Sequence, residues 1–250
     1  MATQVFKVPD SIRKNMRYGF CPGCDHGVAV RLVAECLDEL NLREKAITAT
    51  SIGCSVCLYD YLEVDAVEAP HGRALAQATG IKRARPDMFV FTYQGDGDFA
   101  SIGWGESSHA ALRGENVTAI CINNTTYGMT GGQLGPTTLL GQVTTTSPTG
   151  RNLEYYGYPI KIAEHIAMYD GTAFAARVSL DTIANINNAK KAIMKAFEYQ
   201  MEGLGFSFVE ILSTCPTNWR MTPEEAHERV KNEMMPIFKP GVYKDIKAQG

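Results

Sequence analysis

Five short, nearly continuous apolar runs constrain this chain more than anything else in it. They fall at residues 46–52, 88–93, 117–122, 172–180 and 206–212, with helical stretches between them. A run such as Met88-Phe89-Val90-Phe91 has no polar face, so as a strand it must be covered on both sides. The covers are at hand. At 26–40, Val28, Leu32, Val33, Cys36, Leu37 and Leu40 recur at three-and-four spacing on one helical face, and further helical stretches lie at 73–85, 105–113 and 182–201. Strands alternating with helices predict an α/β fold, a parallel sheet with helices on both faces. Open sheets of that kind bind ligands in the crevice outside the carboxyl ends of their strands.

A chain of 250 residues can bury a substantial core. We expect one domain over 1–250, with 216–250 as a C-terminal extension: an irregular surface tail, interrupted by one helix at 224–233 and suited to packing on another subunit. A net charge of -3 offers no basic footprint for nucleic acid or anionic lipid, and no apolar stretch approaches the ~18 residues of a membrane span. Residues 1–10 carry no apolar leader, so a cytoplasmic location is expected. Residues 125–151 are rich in Gly and Thr and lack helix or strand signal. A stretch of that length inside a compact domain is usually functional and is expected to line the site.

Two of the strand ends carry matching chemistry. Gly95-Asp96-Gly97 follows the second apolar run and Asn123-Asn124-Thr125-Thr126 the third. Glycines let backbone approach a phosphate, a following helix N-terminus offers free N–H groups, and Asp96, the Asn124 amide and a carbonyl near Thr126 are hard oxygen donors suited to magnesium. His71, heading a helix with Gly72, is a candidate contact to diphosphate or substrate, or else a cap. Arg73 either holds a carboxylate or is solvated. His26, beside Cys24, is expected to shape its loop or cap a helix, and His109, His165 and His227 sit in no motif.

Seven cysteines without a leader favour thiol, metal or cluster chemistry over disulfides. Cys36 and Cys121 lie in apolar patterns and read as core. Cys21 and Cys24 form a CxxC at a helix start, while Cys54 and Cys215 follow strands. These four suit a [4Fe–4S] cluster or tetrahedral zinc, or else divide into free thiols and core residues. Cys57, completing a second CxxC with Cys54, is open between ligand and bystander.

The CxxC, the Gly53-Cys54-Ser55 loop, the Gly-Asp-Gly to Asn spacing, the run Tyr127-Gly128-Met129-Thr130-Gly131-Gly132-Gln133 and the run Ser213-Thr214-Cys215-Pro216-Thr217-Asn218-Trp219 together resemble the beta subunit of 2-oxoacid:ferredoxin oxidoreductases, over about residues 21–219. The resemblance implies thiamine diphosphate contacted by Gly53, Ser55, His71, Gly95, Asp96, Gly97, Asp98, Asn124, Tyr127 and Thr130. It implies Mg2+ on Asp96, Asn124 and the Thr126 carbonyl, a [4Fe–4S] cluster on Cys21, Cys24, Cys54 and Cys215, and catalytic roles for His71 and Met129. The implied reaction converts a 2-oxoacid, coenzyme A and oxidised ferredoxin to acyl-coenzyme A, carbon dioxide and reduced ferredoxin. Glu68-Ala69-Pro70-His71-Gly72-Arg73, with Met129 where pyruvate-type enzymes have Asn, resembles the 2-oxoisovalerate and 2-oxoglutarate branch, the former favoured. The thiamine-activating glutamate is expected on a partner among alpha, gamma and possibly delta subunits, so the chain alone should be inactive. Two rival readings are a non-redox thiamine decarboxylase or acetolactate-type subunit, and a zinc or iron–sulfur electron carrier without thiamine.

Overall fold

The computed structural model describes residues 7–17 and 19–248; most of the N-terminal stretch read for a leader lies outside them. Its centre is a seven-stranded sheet built from β1 (Ala46–Ser51), β2 (Asp65–Ala69), β3 (Phe89–Gly95), β4 (Thr118–Asn123), β7 (Thr172–Ser179), β8 (Phe206–Leu212) and β9 (Gly241–Asp245). A two-stranded hairpin pairs β5 (Thr126–Tyr127) with β6 (Gln133–Leu134). The sheet order is β2-β1-β3-β4-β8-β7-β9, parallel throughout except for β9, which runs antiparallel to β7.

Helices cover both faces, as the unbroken apolar strands require. On one, α1 (His26–Glu39) and α5 (Ile183–Met201) close over Phe89, Phe91, Tyr93, Ile120, Phe174 and Ile211. On the other, α2 (Ala74–Ala84), α3 (Trp104–Leu112) and α4 (Ile162–Ala167) cover Val90, Phe99, Cys121, Phe206 and Phe208. Cys36 and Cys121 are buried in these two cores. Each fully buried Phe contributes on the order of 2–3 kcal/mol. Among the described residues no helix is long and apolar enough to cross a membrane.

The structure differs from the sequence reading in three places. β2 is a largely exposed edge strand with a polar sequence, so it carries no apolar-run signal. The segment 125–151 is not structureless: it forms the β5–β6 hairpin and is strapped by Arg151. This buried guanidinium donates to the carbonyls of Gly135, Pro136, Thr138, Tyr156, Gly157 and Tyr158, at 2.9–3.1 Å. The tail is not an irregular surface extension either. Helix α6 (Pro223–Arg229), with a Thr222/Glu225 capping box, continues as a wide turn to Met234. Val230, Met234 and Phe238 then bury against Leu139 and Leu212, and β9 completes the sheet.

Candidate active site

Register places the two diphosphate-type loops side by side. Gly95, the last residue of β3, pairs with Ile122 of β4, so Asp96 and Asn124 leave the same sheet edge. Beyond Gly97 the backbone winds through a wide helical turn, Asp98–Ile102, into α3. Gly97 has no room for a side chain, since a Cβ there would lie 2.1 Å from the Tyr127 ring. Gly72 (φ +78°) and Gly103 let two backbones touch: a Cβ on Gly72 would meet Gly103 N at 2.8 Å.

These loops surround a cavity of about 200 Å³. The structure brings to its wall Gly53, Ser55, His71, Gly95, Asp96, Gly97, Asp98, Asn124, Thr126, Tyr127 and Thr130, the residues expected to contact magnesium or thiamine diphosphate, together with Met129. Cβ atoms on Gly53 and Gly95 would meet nothing within 4 Å, so both leave open space, and Gly53 (φ +113°) also holds a backbone conformation that favours glycine. Asp96 is 2% exposed, and burial pushes its carboxyl up to about 7. Among the described residues its one side-chain hydrogen-bond partner is the Thr137 hydroxyl, and no cationic side chain pairs with it. A buried carboxylate without a counter-ion, beside the Asn124 amide and the Thr126 backbone, is a donor set that suits a divalent cation.

Asp98, on the cavity wall, also braces the loops around it. Its carboxylate accepts from Ser51 Oγ and Gly72 N–H, both at 2.6 Å, and from the Gln94 amide. His71 Nδ1 lies 2.8 Å from Asp98 Oδ1, an ion-pair distance without hydrogen-bond alignment, leaving Nε2 as the ring's other polar atom. Arg73 is neither free nor merely solvated: it pairs with Glu106 at 2.8 Å and donates to Ile102 O. His26 does not cap its helix. It stacks on Phe20, and its Nδ1 lies 2.8 Å from the Tyr93 hydroxyl, with burial holding the imidazole down at about 4.

A second cavity, about 390 Å³, is lined by Cys21, Cys24, Cys54, Cys57 and Cys215 and shares His26, Cys54, Asn124, Gly128 and Met129 with the first. A Cβ on Gly128 would lie 3.4 Å from Cys54 Sγ and 3.5 Å from Cys215 Sγ. Burial pushes the thiols of Cys24 and Cys54 up to about 12 and about 11 and raises Cys215, neighbouring sulfurs adding to the effect. Anionic sulfurs therefore need a cationic centre here. Among the described residues no three His, Cys, Asp or Glu side chains converge tightly enough for one metal ion.

Sequence reasoning missed the braces around these cavities. Thr137, in the long loop, holds Asp96. Buried Asp25 accepts from Thr214 N–H at 2.9 Å while Thr214 Oγ1 donates to Gly23 O at 2.7 Å, clamping the CxxC loop to the Cys215 loop. His227, which carried no motif, comes from α6 to within 3.4 Å of Asp25. Only contacts between distant segments reveal these roles; Asp25's place between CxxC and helix was the single available hint.

Neighbouring parallel-strand ends that present glycine, a buried carboxylate and an amide around one cavity place it where open α/β sheets bind their ligands. Residues 51–211 match the family described as thiamine pyrophosphate enzyme, C-terminal TPP binding domain. The ketoisovalerate oxidoreductase subunit VorA of Methanothermobacter thermautotrophicus is 43% identical over 100% of this chain and 54% of its own length. The 2-oxoglutarate synthase subunit KorB of Archaeoglobus fulgidus is 39% identical over 85% of this chain and 75% of its own. A solved 2-oxoglutarate:ferredoxin oxidoreductase from Magnetococcus marinus superposes with a TM-score of 0.77 at 27% identity, covering 97% of this chain and 86% of that one. The chain belongs to the 2-oxoacid:ferredoxin oxidoreductase family, among the subunits carrying the thiamine-binding domain. It spans about half the length of the ketoisovalerate relatives it matches.

Proposed function

We propose that this chain acts as one thiamine-diphosphate- and [4Fe–4S]-bearing domain of a cytoplasmic 2-oxoacid:ferredoxin oxidoreductase. The enzyme would take 2-oxoisovalerate or a related branched-chain 2-oxoacid in preference to 2-oxoglutarate. The observation that carries the reading is the wall shared by the two cavities, where Cys54, Asn124 and Gly128 face both a diphosphate-type site and a five-cysteine chamber. Asp96, Asn124 and the Thr126 carbonyl would hold Mg2+, and the open space at Gly53 and Gly95 would admit the diphosphate. Bound thiamine diphosphate supplies a nucleophilic carbon and an electron sink for loss of carbon dioxide.

This chain's own residues do the rest. Asp98 lies beside His71 Nδ1, and the ring's Nε2 would be the atom that contacts diphosphate or substrate. Met129, half exposed at the mouth of both cavities, offers a polarizable apolar surface that suits a branched aliphatic side chain better than the second carboxylate of 2-oxoglutarate. Electrons would leave through Cys21, Cys24, Cys54 and Cys215 to ferredoxin, with the acyl group passing to coenzyme A. The partner subunits would supply the activating glutamate and much of the substrate pocket. The ketoisovalerate relatives, matching nearly the whole chain, support the substrate choice. A non-redox thiamine subunit would leave the cysteine chamber without a purpose.

The test is anaerobic purification with iron, sulfide and thiamine analysis, then turnover of 2-oxoisovalerate, 2-oxoglutarate and pyruvate with coenzyme A and viologen dye. Bound iron, sulfide and thiamine with highest kcat/KM for 2-oxoisovalerate is expected in the assembled enzyme. Absence of iron and sulfide, or turnover by the chain alone, would refute the cluster or the partner requirement respectively.

A further inference from the structure

Asn218 lines the cysteine cavity, against the shared wall residue Gly128, and was assigned no role by the sequence. Its carboxamide N–H2 donates twice: to Gly128 O at 2.9 Å and to Cys215 Sγ at 3.2 Å. Both amide protons are therefore used, one on the loop that faces the thiamine cavity and one on a cysteine sulfur. Gly132 leaves the room that the carboxamide occupies, since a Cβ there would lie 3.0 Å from its oxygen. Asn218 is carried by a short turn beginning at Pro216, and its backbone N–H also favours the Cys215 thiolate.

We propose that Asn218 is a positioning residue that raises the reduction potential of the iron–sulfur centre through its N–H···S bond to Cys215 and locks that sulfur to the Gly128 wall between the cofactors. The assignment rests on the cluster reading above. The couple is a one-electron one: the oxidised centre accepts one electron from 2-oxoacid oxidation and passes it to ferredoxin, carrying one more negative charge meanwhile. A donor on a ligand sulfur stabilises the added charge, so the bond favours the reduced form. Removing it makes the centre harder to reduce and slows electron entry from the thiamine side.

The experiment is redox titration, followed by electron paramagnetic resonance and visible absorbance, of the anaerobically purified, assembled enzyme carrying Asn218→Leu or Asn218→Asp. Leu keeps the bulk and loses both donors; Asp keeps the shape, loses the donors and adds charge. At a fixed ambient potential we expect the reduced-to-oxidised ratio to fall roughly three- to tenfold in Asn218→Leu, about 30–60 mV at 59 mV per decade, and further in Asn218→Asp. Iron content should stay near wild type. An unmoved potential in both variants at full iron content would overturn the assignment while leaving the cluster intact. Loss of iron from both would make Asn218 a structural brace only. Wild-type enzyme without iron and sulfide would overturn the cluster reading itself, and this inference with it.

Discussion

Replacing Asp98 by alanine tests the claim that this carboxylate is a loop anchor. Asp98 is 2% exposed and is approached by Ser51 Oγ, Gly72 N–H, the Gln94 amide and His71 Nδ1. Hydrogen bonds to a charged acceptor contribute roughly 1.5–3 kcal/mol each, so the three well-aligned ones sum to about 4–9 kcal/mol. Relief of the buried charge offsets part of this, leaving a net loss of about 3–5 kcal/mol for Asp98→Ala. Asp98→Asn should cost less. The new amide can donate to Gln94 Oε1, which has no hydrogen-bond partner in the native arrangement, once that side chain flips. About 1–2 kcal/mol is then expected. At 2–4 °C per kcal/mol for a chain of this size, thermal melts should show a drop of about 6–20 °C for Ala and under about 8 °C for Asn. Both variants should weaken thiamine diphosphate binding, because Gly72 and His71 lose their tether. A loss below 1 kcal/mol for Ala, or Asn more damaging than Ala, would refute the anchoring account.

Gly97→Ala should displace the Tyr127 ring and cost 1–3 kcal/mol of stability, with at least tenfold weaker thiamine diphosphate binding by calorimetry; unchanged affinity would show that the close packing is incidental. Arg151→Met should open residues 135–158 to limited proteolysis while the sheet stays folded, and equal protease resistance would count against the strap. His26 gives a pH test. Its folded-state value, about 4, lies below the ordinary 6.5, so the unfolded chain binds the proton more readily. Its contribution is complete above pH 6.5 and is lost as pH falls through 4, up to about 3 kcal/mol at 1.36 kcal/mol per unit. Urea melts of His26→Gln between pH 7 and 4.5 should show a shallower acid slope than wild type; parallel slopes would sink the assignment.

The sheet was legible because parallel strands covered on both faces leave unbroken apolar runs: the expected run at 206–212 coincides with β8, and the other four strands differ by a residue or two at their ends. β2 and β9 were not legible, since edge strands keep a solvent face and need no such run. The site residues could be collected because glycine, aspartate and asparagine at strand ends advertise themselves by position. Their division of labour could not. Asp98 looks like part of the Gly-Asp-Gly turn in sequence, and only the approach of Ser51, Gly72 and Gln94 shows that it also braces the loops. Asp25 with Thr214, and Thr137 with Asp96, are likewise contacts over long separations that no local pattern records.

The Arg151 strap gives the segment that carries Thr137, the partner of Asp96, its cooperativity. Six carbonyls on both sides of Arg151 converge on one planar cation. The held segment includes Gly135 and the neighbours of Thr137, which grips Asp96. Losing part of that shell strands charged donors in a buried place, so partial fraying is penalised and the segment orders or releases as one cooperative unit. Amide exchange across 135–158 should accordingly be uniform, with a single opening free energy, and access to Asp96 follows that one equilibrium rather than a gradual loosening.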